Sequence, residues 1–127
     1  MAARRETALA AAGSGRSPRS RLARVALQSA RALPQVAGGV RGDHGLWATT
    51  DEGGLLEGVA AVARPDGRYD VDLHLVAQWP LGSLHSLADE VRRRASAAIE
   101  RQGLRELLGD ITVSFEDLRE PSEDRAS

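Results

Sequence analysis

The chain lacks several residue types, and each absence excludes a class of chemistry or of fold. None of its 127 residues is cysteine, which excludes disulfides, zinc thiolate sites and a cysteine nucleophile. No apolar run approaches the roughly 18 residues that cross a bilayer as a helix. Aromatic residues make up only 3% of the chain, so Ala, Val and Leu have to supply most of its hydrophobic core.

The formal net charge of −1 conceals an uneven distribution of charge along the chain. Residues 1–31 carry +6, residues 32–115 carry −4 and residues 116–127 carry −3. A basic N-terminal segment followed by an acidic remainder counts against a domain that binds nucleic acid over its whole surface.

Composition divides the chain into one domain and two ends. Gly13-Ser14-Gly15 is typical of a flexible link, so residues 1–16 are predicted to form a flexible basic arm. The apolar part of this arm, Thr7–Ala12, is shorter than the ~7–15 residues of a signal-peptide core, which favours a cytoplasmic protein. Residues 17–118 are predicted to fold, and residues 119–127 are predicted to form a disordered acidic tail.

Two segments have the spacing of amphipathic helices. Ser17-Pro18 is a helix-start pattern, and apolar residues follow helical spacing until Leu33, where Pro34 should end the helix. A second helix is predicted over Ser83–Gln102, with Gly103 as the residue that terminates it.

The remaining regular segments have strand patterns. Leu46–Thr50 is predicted as a short strand, and Leu55–Ala63, which is almost wholly apolar, as the central strand. Tyr69–Trp79 alternates between an apolar and a polar face, which predicts a half-buried edge strand in a hairpin with its predecessor, and Ile111–Phe115 is predicted as the last strand. We therefore predict a small two-layer α+β domain in the order helix, β-hairpin, helix, strand, with a mainly antiparallel sheet and both helices on one face.

Four segments share a pattern of residues, order and spacing with a known family. They are Leu33–Gly38, with its Pro and small residues after the first helix, Val71–Val76, Leu84–Leu104 and Ile111–Leu118. Together they resemble the alkaline shock protein family of bacterial envelope stress proteins. The chain departs from the family pattern at Gln35, where Gly is usual.

The resemblance implies a small cytoplasmic, non-enzymatic protein that self-associates. In some relatives it also implies attachment to the membrane through a separate anchor protein. We accordingly expect a scaffold or adaptor of the envelope stress response, located in the cytoplasm and membrane-peripheral only through a partner. The resemblance carries no catalytic residue, cofactor, metal or small-molecule substrate.

The candidate partner-binding residues belong to the predicted edge strand and to the basic arm. They are Tyr69, Val71, Trp79, Arg4, Arg5 and Arg16. An edge strand offers unpaired backbone groups to another chain, and Trp is enriched at interaction hot spots. Basic residues near a membrane surface are attracted to anionic lipid, although a solubilising role for the arm explains them equally well.

A second reading of the function is a nucleic-acid-binding module. Gly39-Val40-Arg41-Gly42 matches the G-x-x-G loop with which KH domains clamp a nucleic-acid backbone. That loop joins two helices in KH domains, whereas this one follows Pro34 and leads toward strands. Asp43 would also repel phosphate, so a glycine-rich connection is the simpler interpretation.

Catalysis and metal binding find little support in the residue pattern. His44, His74 and His85 each have an Asp nearby, but none has the two-histidine spacing of a metal motif. Ser83 and Ser86 flank His85 but point in different directions on a helix, so they cannot form a nucleophilic relay.

Overall fold

The computed structural model describes residues 17–42, 46–51 and 54–120. Two helices, a short 3₁₀ turn and six strands make up this part of the chain. In chain order they are α1 (Pro18–Arg31), β1 (Val36–Gly39), β2 (Ala48–Asp51), β3 (Gly54–Glu57), β4 (Val59–Ala63), β5 (Tyr69–Gln78), α2 (Leu84–Arg101), the 3₁₀ turn (Arg105–Leu107) and β6 (Leu108–Arg119). The predicted arm lies outside the described residues, as does the predicted tail from residue 121 onward.

Both helices begin at the capping side chains that the sequence predicts and α2 ends at the predicted glycine, whereas α1 ends at Arg31, two residues before the predicted Leu33. The Ser17 hydroxyl accepts a hydrogen bond from the Ser20 amide at 3.1 Å, and Ser83 accepts one from the Ser86 amide at 3.0 Å. Each bond satisfies one of the free amides of a first helical turn. Gly103 follows α2 with φ +74°, the left-handed conformation that favours glycine after a helix.

The central strand of the main sheet is β5, which pairs along both of its edges. Strand β6 runs parallel to it along one edge, and β4 and β1 run antiparallel to its two halves along the other. The prediction that Leu55–Ala63 is central and Tyr69–Trp79 an edge strand is therefore wrong. The apolar character of Leu55–Ala63 does not reflect burial on both sides, because the segment is divided between two sheets.

The division of that segment occurs at Gly58. Before it, β3 pairs with β2 in a separate two-stranded sheet, and after it, β4 pairs with β5. Gly58 has φ +97°, and a Cβ atom there would lie 2.5 Å from the Cα atom of Gly39. Both the left-handed backbone and the close approach require glycine, so one apolar run becomes two strands.

The core lies between the main sheet and both helices. Four alternate residues of β5 face the helices and have no exposed surface: Val71, Leu73, Leu75 and Ala77. The intervening residues of β5 are half-buried on the opposite face. The buried stripes of α1 and α2 join the same core, which confirms the predicted two-layer α+β domain with both helices on one face.

Candidate interaction surface

The central position of β5 changes the status of the residues predicted on it. Val71 is completely buried, so it cannot contact a partner, and the edge-strand argument for it is wrong. Tyr69 is half-buried against the core. Trp79 lies just after β5 with 38% of its surface exposed, and its amide donates to the carbonyl of Arg119 at 3.0 Å. The predicted arm residues Arg4, Arg5 and Arg16 lie outside the described residues.

The two outer edges of the main sheet differ in how they are protected. On the β4 side, the Thr49 hydroxyl donates to the carbonyl of Val59 at 2.8 Å, and Arg19 Nε donates to the carbonyl of Ala61 at 2.8 Å. These carbonyls alternate along β4 with residues bonded to β5, so they point away from the sheet. Side chains therefore occupy the hydrogen-bonding positions of this edge, as is common where edge pairing is avoided.

Strand β6 forms the opposite edge, and within the described ranges it pairs only with β5. It is twelve residues long and carries a row of apolar side chains on the helix-facing side of the sheet. They are Ile111, Val113, Phe115 and Leu118, which are all half-buried, whereas their direct neighbours on β5 have no exposed surface. The core is thus incompletely covered along this edge.

The middle of β6 has the composition of a strand that can pair with a further strand along its outer edge. Residues Ile111–Phe115 are uncharged and consist of β-branched and aromatic residues with one Ser. Asp110 precedes this stretch and Glu116 follows it, next to an irregularity in the β5–β6 register. Charges and bulges limit pairing at the ends of an edge strand and leave its centre available.

A polar cluster lies on the sheet face that the helices do not cover. The rings of Trp47 and His74 stack with centroids 4.1 Å apart and planes 5° apart. His74 Nδ1 lies 3.0 Å from Glu116 Oε2, and the Ser114 hydroxyl donates to the same oxygen at 2.7 Å. The hydrogen bond with His74, and secondarily that with Ser114, holds the pKa of Glu116 below its usual value.

This cluster has the residue types of a catalytic triad but not its connectivity. In a relay, a histidine accepts the serine proton while a carboxylate orients the histidine. Here Ser114 and His74 both bind the carboxylate of Glu116, and no hydrogen bond joins the serine to the histidine. The arrangement instead fastens Trp47, and with it the small sheet, to the main sheet.

The other histidine pairs have no metal-binding geometry. His74 pairs with Glu116 rather than with the predicted Asp72. His85 Nε2 lies 3.7 Å from Asp89 on the exposed surface of α2, as the sequence predicts, and His44 lies outside the described residues. Across residues 17–42, 46–51 and 54–120, no three metal-ligating side chains come together.

The Gly39–Gly42 loop has packing reasons for its glycines. A side chain at Gly39 would collide with the carbonyl of Glu57, and one at Gly42, where φ is +77°, would lie 2.9 Å from the Trp47 ring. The loop follows β1 and leads to the small sheet, so it does not join two helices. This geometry does not favour a KH-type clamp.

No model of a known protein family, no curated protein and no solved structure matches the chain. In the part of the chain that the structure describes, neither helix has the length and apolar content to span a membrane.

Proposed function

We propose that this protein is a non-enzymatic scaffold or adaptor of the envelope stress type, acting at the cytoplasmic face of the membrane. It binds copies of itself and a separate membrane-anchored partner. The resemblance of four segments to the alkaline shock protein family supports the class of function. The free edge of β6 is the observation that carries the self-association.

A second copy of β6 is the partner that fits this edge. Pairing two β6 strands uses the same surface on both copies, which is the usual arrangement of a symmetric dimer. It satisfies the outward backbone groups of both strands and covers the half-buried Ile111, Val113 and Phe115 on each. The β4 edge offers no equivalent, because Arg19 and Thr49 already occupy it.

A charge placed on the free edge tests this proposal. Thr112 is exposed in the middle of β6, so Thr112→Lys puts a cation where two β6 strands would meet without disturbing the core. Thr50→Lys is the matched control, since Thr50 is also exposed but belongs to the small sheet. Sedimentation velocity of the full chain over a concentration series measures the association.

We expect the wild-type chain and Thr50→Lys to dimerise or assemble further as concentration rises. Thr112→Lys should weaken association at least tenfold and keep the unfolding midpoint that the wild type shows at concentrations where both are monomeric. A wild-type chain that is monomeric at all concentrations contradicts the proposal. Equal association of the two lysine variants would also contradict it, because the interface then lies elsewhere.

A further inference from the structure

The two layers of the domain carry opposite charge. Helices α1 and α2 contain eight Arg and three acidic residues, a net charge of +5. The six strands contain seven acidic residues and one Arg, a net charge of −6. The helix layer is therefore basic and the strands are acidic, although the chain as a whole is nearly neutral.

The helix layer has a cleft of about 380 Å³ between the two helices, toward the C-terminal end of α1. Its lining residues are Ser29, Ala32, Arg93, Arg94, Ala97 and Arg101. The three residues without charge are small, so they leave space between the helices. The three guanidinium groups come from one side of α2, at helical spacing.

Glu90 positions two of these arginines without neutralising the cleft. Its carboxylate binds Arg94 Nε at 2.7 Å through one oxygen and binds Arg93 through the other. Arg101 forms no ion pair in the described chain. Three arginines thus face one acid, and their unused N–H groups can donate to a further anion.

We propose that this arginine cleft binds the phosphate group of an anionic phospholipid and holds the helix layer against the membrane surface. Guanidinium groups donate to phosphate oxygens with matched, often bidentate geometry. The proposal deepens the proposed location at a membrane and rests on it, but it is independent of the β6 edge. The cleft supplies a direct lipid contact in addition to a protein anchor.

The helix layer suits a lipid surface better than a nucleic acid. Proteins that bind single strands stack bases on aromatic side chains, and neither α1 nor α2 contains Phe, Tyr or Trp. Binding of an anionic bilayer needs only cations on an accessible face, which the helix layer has. The acidic sheet layer would be repelled by the same surface, so the charge separation also orients the domain.

Vesicle co-sedimentation of the full chain tests the proposal. Vesicles of phosphatidylcholine with and without 30% phosphatidylglycerol serve as probes, with inorganic phosphate and a short RNA as separate arms. The test variant is Arg93→Gln with Arg101→Gln. The control is Arg41→Gln with Arg68→Gln, which removes the same charge from exposed positions outside the helices and outside β6.

We expect binding to the anionic vesicles only, with a roughly 30-fold loss in the test variant, from two arginines near the surface. The control should lose less than about threefold. Equal losses in the two variants would overturn the cleft as the site. Failure of the wild type to bind anionic vesicles would refute an anionic phospholipid as the ligand. Tighter binding of inorganic phosphate or RNA that depends on the cleft would refute it as well. Each of these failures leaves the concentration-dependent association through β6 unaffected and separately measurable.

Discussion

Replacing Leu73 with Asp should unfold the domain, whereas replacing its neighbour Asp72 with Asn should have little effect. Leu73 is completely buried in the central strand and lies between Val59 on β4 and Val113 on β6. Truncation of a fully buried Leu to Ala costs about 2–5 kcal/mol, and an unpaired buried carboxylate costs several kcal/mol more. A domain of about 100 residues has only about 5–15 kcal/mol of stability, so Leu73→Asp removes most or all of it.

Asp72 provides the matched control because it is the adjacent residue on the opposite face of β5. Its side chain is half-buried and makes no hydrogen bond or ion pair with the described residues, so Asp72→Asn should change the free energy of unfolding by less than about 0.5 kcal/mol. Urea denaturation followed by circular dichroism measures both variants, and Leu73→Ala gives a value where Leu73→Asp does not fold. Similar free energies for Leu73→Ala and Asp72→Asn would refute the assignment of the two faces.

Three further predictions concern the strands. Gly39→Ala should lower the free energy of unfolding by about 1–3 kcal/mol, because the new methyl group meets the Glu57 carbonyl, whereas Gly38→Ala, in open space, should change it by less than about 0.5 kcal/mol in the same urea experiment. The pKa of Asp70 is held below its usual value of 3.8, first by the backbone amide of Asp110. The stabilisation that the Asp70 carboxylate gives to the fold should therefore be present above about pH 4 and be lost as the pH falls through the lowered pKa. Asp70→Asn should show a smaller loss of thermal stability between pH 5 and pH 2 than the wild type shows. Association through β6 brings together the acids that flank its uncharged centre in the two copies. Salt screens their repulsion, so the dissociation constant should fall as the salt concentration rises from 50 to 500 mM. A rise in the dissociation constant would point instead to contact between the basic helix layer of one copy and the acidic sheet of another.

Local patterns predicted both helices and the long strand β5 because the causes of these elements are local, but they did not predict β1 or the division of Leu55–Ala63 into two strands. The caps at Ser17 and Ser83 and the termination at Gly103 depend on residues within one helical turn. Alternation in Tyr69–Trp79 identified the buried face of β5, since a strand with one covered face has a period of two. Alternation does not identify neighbours, however. The central position of β5 depends on pairing with β6, about 40 residues away.

The candidate interaction surfaces could be predicted from the sequence less well than the helices and strands. The stacking of Trp47 on His74 and the bond from His74 to Glu116 join residues 27 and 42 positions apart, and no spacing rule connects them. The alternation in Tyr69–Trp79 predicts a free edge on β5, whereas among the described residues the long strand with an unpaired edge is β6. The sequence shows an excess of basic residues near the N-terminus. The separation of charge into a basic helix layer and an acidic sheet layer becomes apparent only in the fold, where α2 packs beside α1.

The parallel pairing of β5 with β6 has a consequence for synthesis of the chain. Translation produces β5 after its antiparallel neighbours β1 and β4, but β6, which occupies its other edge, follows only after α2. Until β6 has emerged from the ribosome, the nascent domain exposes one edge of its central strand, and such exposed edges promote misassembly in unfinished domains. Chains interrupted between α2 and β6 should therefore depend on chaperones or be degraded, although they already contain both helices and most of the core residues.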